Sequence, residues 1–72
     1  MALNDDLILR HYSVEIHVKG VKAEKATRAA LRSHGEFADM YELNRQIIEK
    51  IEAAGLSVRS VEQHDTYVRL YI

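Results

Sequence analysis

The chain has 72 residues, a net charge of −1, 47% hydrophobic residues, and no cysteine or proline. That length suits one domain with a marginal core, and the missing cysteines exclude disulfide or thiolate-metal staples, so self-association is the staple expected. The apolar content argues against a disordered chain, the charge balance against a dedicated nucleic-acid binder, and the lack of a long apolar run against a membrane span.

Residues 1–7 read as a flexible lead, with Asp5 and Asp6 where a signal or transit peptide would carry none. A cytoplasmic setting follows as the expectation. Residues 8–72 read as a single α+β domain.

From Ile8 to Lys19 the pattern alternates. Tyr12, Val14, Ile16 and Val18 face one way, and His11, Ser13, Glu15, His17 and Lys19 the other, which predicts one half-buried strand ending at Gly20. Val21 to His34 reads as a helix that buries Ala23, Ala26, Thr27 and Ala30 and turns Lys22, Lys25, Arg28 and Arg32 outward. Its buried side is mostly alanine, so it is weakly held: each missing methylene forgoes about 0.8 kcal/mol. Gly35 is the predicted left-handed stop.

Phe37 to Ala54 carries the stronger helical stripe, with Phe37, Met40, Tyr41, Ile47, Ile48 and Ile51 on one side and Leu43 at its margin. Asp39 suits the cap, and Arg45 and Glu49 are spaced to pair. The alternative is one helix broken at Gly35. Leu56 to Glu62 reads as a short strand with a bulge near Ser60, Gln63 to Asp65 as a turn, and Thr66 to Ile72 as the last strand. In that strand Val68, Leu70 and Ile72 face inward and Tyr67, Arg69 and Tyr71 outward.

The predicted order is strand, helix, helix, strand, strand. It implies a three-stranded sheet of order 1-3-2 with both helices on one face. The arrangement resembles half of a ferredoxin-like fold, a likeness of architecture that carries no function. Strand 8–19 then lies at an edge without proline, and pairing of two such edges gives a homodimer.

Four surfaces are candidates. The open sheet face, with His11, His17, Tyr67, Arg69 and Tyr71, has the residue types that stack bases or anchor protein partners. The basic stripe of Lys22, Lys25, Arg28 and Arg32 suits phosphates or plain solvent, and lies on the opposite layer. The second helix offers Asp39, Glu42, Leu43 and Glu49 to a partner, since its apolar arc is wider than packing on one neighbour needs. Asn44, inside that stripe, reads as a satisfied core or interface amide. The fourth candidate, the histidines, yields no metal site: His11 and His17, six residues apart on one extended strand, would stand roughly 20 Å apart.

No glycine-rich phosphate loop, nucleophile elbow or paired metal carboxylates occurs, and no cofactor is implied. The reading is a small non-enzymatic interaction or regulatory module of inhibitor or adaptor type, acting as a homodimer on another protein. Regulators carried by phages and mobile elements are often stand-alone chains of this size. The alternatives are a nucleic-acid-binding regulator and a metal-independent ribonuclease using histidine, tyrosine and arginine.

Overall fold

The computed structural model describes residues 7–72. The α+β class holds, with two helices and four strands among these residues rather than three strands: β1 (Leu7–His11), β2 (Val14–Val18), α1 (Val21–Ser33), α2 (Met40–Ala53), β3 (Ser60–Gln63) and β4 (Val68–Tyr71). The sheet order is β1-β2-β4-β3. β1 runs antiparallel to β2, β2 parallel to β4, and β4 antiparallel to β3. The expected 1-3-2 order survives inside it as β2-β4-β3, with the last strand in the interior.

The single strand expected over residues 8–19 is a hairpin. Tyr12 adopts φ 56°, in the left-handed region, and the chain reverses over Tyr12 and Ser13. The reversal sets His11 opposite Val14 and Leu9 opposite Ile16. Side chains of β1 at odd positions therefore share a face with even positions of β2, because cross-strand partners point the same way. Of the expected edge strand only β1 is at an edge; β2 is paired on both sides. Of the expected flexible lead, residues 1–6 lie outside the described residues, and Leu7 opens β1.

One core fills the space between the helices and one sheet face. Leu9, Val14, Ile16, Val18, Val68 and Leu70 come from the sheet, Ala23 and Ala30 from α1, and Leu43, Ile47 and Ile51 from α2. The two helices contribute unequally, as their sequences imply: α1 buries only Ala23, Thr27 and Ala30. Gly20, at φ 95°, caps α1 in a conformation that penalises a Cβ, and Gly55, at φ 89°, closes α2 in the same way.

Gly35 does not act as the left-handed stop. α1 ends because His34 turns extended, and Gly35 serves close approach. Its N–H donates to Gln46 Oε1 at 2.7 Å, while Gln46 Nε2 donates to the Glu36 carbonyl at 2.8 Å. A Cβ on Gly35 would meet Gln46 Oε1 at 3.4 Å. One α2 side chain thus ties down the link between the helices.

α2 starts at Met40, three residues later than its apolar pattern implies. Asp39 takes the cap, accepting from the Glu42 N–H at 2.9 Å, and Glu42 Oε1 accepts from the Ala38 N–H at 2.7 Å. The reciprocal bonds satisfy amides that a helix start leaves unpaired. The buried stripe is Leu43, Asn44, Ile47 and Ile51, whereas Tyr41 is 71% exposed. The stripe is thus rotated from the expected one: Leu43 lies fully inside it and Tyr41 outside it.

Residues 56–59 are irregular. Leu56 and Val58 still pack against the core, and the Arg59 N–H donates to the Tyr71 carbonyl at 2.7 Å. Among the described residues no helix is long and apolar enough to cross a membrane.

Candidate functional site

The chain crosses the same end of the molecule at three places: the β1–β2 turn, the link from α1 to α2, and the β3–β4 turn. Both helices run the length of the sheet, so each of these connections returns there. They carry His11, Tyr12, His34, Phe37, Met40, Tyr41, His64 and Tyr67, which leaves His17 and Tyr71 as the only histidine and tyrosine elsewhere.

Four of these rings form a closed circuit. His11 meets Tyr12 edge-on at 4.7 Å, Tyr12 meets Phe37 edge-on at 5.2 Å, Phe37 meets His34 at 5.5 Å, and His34 meets His11 at 4.9 Å. Edge-to-face contacts of this kind are each worth about 0.5–1.5 kcal/mol beyond burial. Beside the circuit lies a cleft of about 250 Å³, lined by Ser13, Met40, Tyr41, Tyr67 and the turn between β3 and β4. That turn is closed by the His64 N–H donating to the Tyr67 carbonyl at 2.9 Å, and their rings stack at 4.3 Å. A shallower hollow lined by Glu36, Phe37, Ala38 and Glu42 adds acids to the same end.

Within the circuit, His11 Nε2 and His34 Nε2 are 2.7 Å apart. His34 Nδ1 stands 2.8 Å from the Gly35 carbonyl, which can only accept, so His34 carries its proton on Nδ1. His34 Nε2 is then the acceptor and His11 Nε2–H the donor. Burial, and secondarily the neighbouring His34, pushes the His11 pKa below its usual 6.5.

The unfolded chain binds a proton at His11 more readily than the folded one, so folding stability is lost as pH falls from about 6.5. We expect the urea midpoint to decline from pH 7.5 to pH 5.5, and His11→Gln to flatten that decline. An unchanged slope in the variant would assign the effect to other groups.

The open sheet face differs from its expected form. His17, Tyr67, Arg69 and Tyr71 lie on it, but His11 does not: the turn at Tyr12 moves His11 to the helix side. The register sets Arg10 opposite Glu15, Glu15 opposite Arg69, and Arg69 opposite Glu62. The result is a row of alternating charge across all four strands, with contacts of 3.5, 3.3 and 3.6 Å. Arg69 also reaches the Tyr67 hydroxyl at 3.3 Å. Its neighbours hold the Glu62 carboxyl below the usual range, through the hydrogen bond from His64 first and the Arg69 charge after it. His17 packs against Tyr71 at 4.8 Å, and its buried Nε2 has no hydrogen-bond partner among the described residues.

This face is balanced rather than basic. Arg69 lies between two carboxylates, and a phosphate approaching it would have to displace one of them. On this face, then, Arg69 offers a phosphate no uncompensated charge. The basic stripe is exposed as expected, with Arg28 paired to Glu24 at 3.0 Å, and lies on the helix layer away from the open face.

The expected partner surface of α2 stands without Leu43: Glu42 and Glu49 lie two turns apart on one side of the helix, and both contact Arg45. Leu43 is fully buried. Asp39 and Glu42 are tied into the helix start, and Glu49 pairs with Arg45 at 2.9 Å two turns along. Losing a cap costs about 1 kcal/mol, so reversing Asp39 would perturb the fold as well as a surface. Asn44 is buried, and its Oδ1 has no hydrogen-bond partner among the described residues.

The grouping of Tyr12, His34, Phe37 and Tyr41 escaped the sequence reading. A usable signal was present: the apolar positions are odd in Leu7 and Leu9 and even in Val14, Ile16 and Val18. Such a switch of parity marks a two-residue reversal. No protein-family model matches the chain, and neither a curated protein nor a solved structure matches it.

Proposed function

We propose that this protein is a small non-enzymatic interaction module, working in the cytoplasm by occupying the surface of a partner protein. The observation that supports the reading is the aromatic end. Among the described residues Tyr12 and Tyr41, at 70% and 71% exposure, are the most exposed large hydrophobic ones, and both belong to that end. Tyrosines around a cleft are characteristic anchors of protein interfaces, since they bring large area at low entropic cost. The cleft suits one apolar side chain of a partner, and Glu36, Glu42 and Asp65 nearby favour basic groups around it.

Self-association belongs to the same reading, through β1 in place of the 8–19 strand. Among the described residues the outer edge of β1 has no strand beside it and carries no proline, which suits pairing with a second copy.

The test is a tagged pull-down from the native host's lysate at moderate salt, with light scattering on the purified chain. Wild type should retain one stoichiometric protein that Tyr41→Ala loses, and should run at about twice 8.3 kDa. Equal recovery by the variant would remove the aromatic end from the reading. Recovery of nucleic acid alone would overturn the reading itself, and a strict monomer at high micromolar concentration would remove self-pairing.

A further inference from the structure

We propose that His11 and His34 form a two-histidine site for a borderline divalent metal ion, with Zn²⁺ as the type. The inference stands independently of the partner reading. It begins from placement: β1 and the end of α1, 23 residues apart in sequence, aim two imidazole Nε2 atoms at one point, 2.7 Å from each other.

The outer contacts are those a ligating histidine uses. His34 donates Nδ1–H to the Gly35 carbonyl at 2.8 Å, which fixes the ring and leaves the Nε2 lone pair directed at His11. Such a bond from the far nitrogen to a backbone carbonyl is the usual support of a metal-bound imidazole. On the His11 side, the proton on Nε2 moves to Nδ1 through solvent, and both lone pairs then converge. That exchange of tautomer releases no net proton from the neutral pair. Two nitrogens at tetrahedral angles around Zn²⁺, each about 2.0–2.1 Å from it, stand about 3.3 Å apart, so the rings must separate by roughly 0.6 Å. Both are part-buried rather than locked in the core, which allows that movement.

The donor type decides the class of ion. Imidazole nitrogens favour Zn²⁺, Cu²⁺ and Ni²⁺, whereas Mg²⁺ and Ca²⁺ need an oxygen cage. Among the described residues no group of three or more histidine, cysteine or acidic side chains converges. Water or a donor from another molecule therefore completes the shell, and the site is an open one.

The experiment titrates ZnCl₂ alone into the full chain in a non-chelating buffer, followed by calorimetry and thermal unfolding. The expected result is saturable binding with a micromolar Kd and a rise in Tm of about 5 °C or more at saturation. His11→Gln and His34→Gln should each weaken binding at least tenfold, while His64→Gln, which removes the exposed Glu62–His64 pair, leaves it unchanged. No uptake by wild type up to millimolar Zn²⁺ would overturn the proposal, as would unchanged affinity in either ring variant. Should a variant fail to fold, ring resonances of the wild-type histidines decide. Zn²⁺ shifts confined to His11 and His34 support the site, and shifts confined to His17 or His64 reject it.

Discussion

Replacing Leu43 by alanine should lower the free energy of unfolding by about 2–5 kcal/mol, the range for deleting a fully buried leucine side chain. Leu43 is fully buried, together with Ile47 and Ile51 on the same helix stripe. A domain of 72 residues has in total about 4–10 kcal/mol of stability. The substitution therefore removes a large share of it, partly as lost transfer energy and partly as a cavity that rigid neighbours do not fill. Tyr41→Ala, only two residues earlier, should change stability by about 0.5 kcal/mol or less, because its side chain is mostly in solvent. Urea titration of the two variants with unchanged slope checks the contrast. A large loss for Tyr41 and a small one for Leu43 would mean that α2 is rotated about its axis, and with it every residue of the aromatic end.

Tyr12→Gly should separate stability from binding. Tyr12 holds φ 56° at the first of two reversal residues, a position where glycine is the usual choice. An L-residue with a Cβ carries a penalty of about 1–2 kcal/mol there. Its edge contacts with His11 and Phe37 offset part of that cost, and its 70% exposure limits what they contribute. The variant's unfolding free energy should accordingly stay within about 1 kcal/mol of wild type. Partner binding should fall about 30-fold or more, the loss typical of an anchoring aromatic. A strained residue retained on a surface is expected where the side chain has a use beyond the fold. Unfolding of the variant, or binding within a factor of two of wild type, would show that Tyr12 serves the hairpin alone. Surface plasmon resonance against the captured partner measures the loss and can carry Tyr41→Ala in parallel.

Much of the architecture was legible from residue order. Val14, Ile16 and Val18 occur on a buried strand face, α1 buries Ala23, Thr27 and Ala30, Asp39 caps α2, Arg45 pairs with Glu49, and Val68 and Leu70 line the core. Each of these depends on neighbours a few positions away, where periodicity and capping chemistry act directly. The errors lie where two segments had to agree. Tyr12 is a strand former by propensity, so the reversal through it was masked, and one masked turn moved His11 to the other face and β2 off the edge. Tyr41 is apolar enough to join a stripe, so the expected face of α2 was turned towards Tyr41 and away from Leu43.

By itself, then, the amino-acid order determined the class, the two helices, their unequal burial and the inward positions of β2 and β4, because those follow from local spacing. Only the tertiary structure decided which strand is the edge, which charges alternate across the open face, and which rings meet at one end. His11 and His34 share no periodicity and no motif. They meet because a hairpin reverses at Tyr12 and α1 ends beside it, and contacts so far apart in sequence are set by how the whole chain packs, not by any stretch of it.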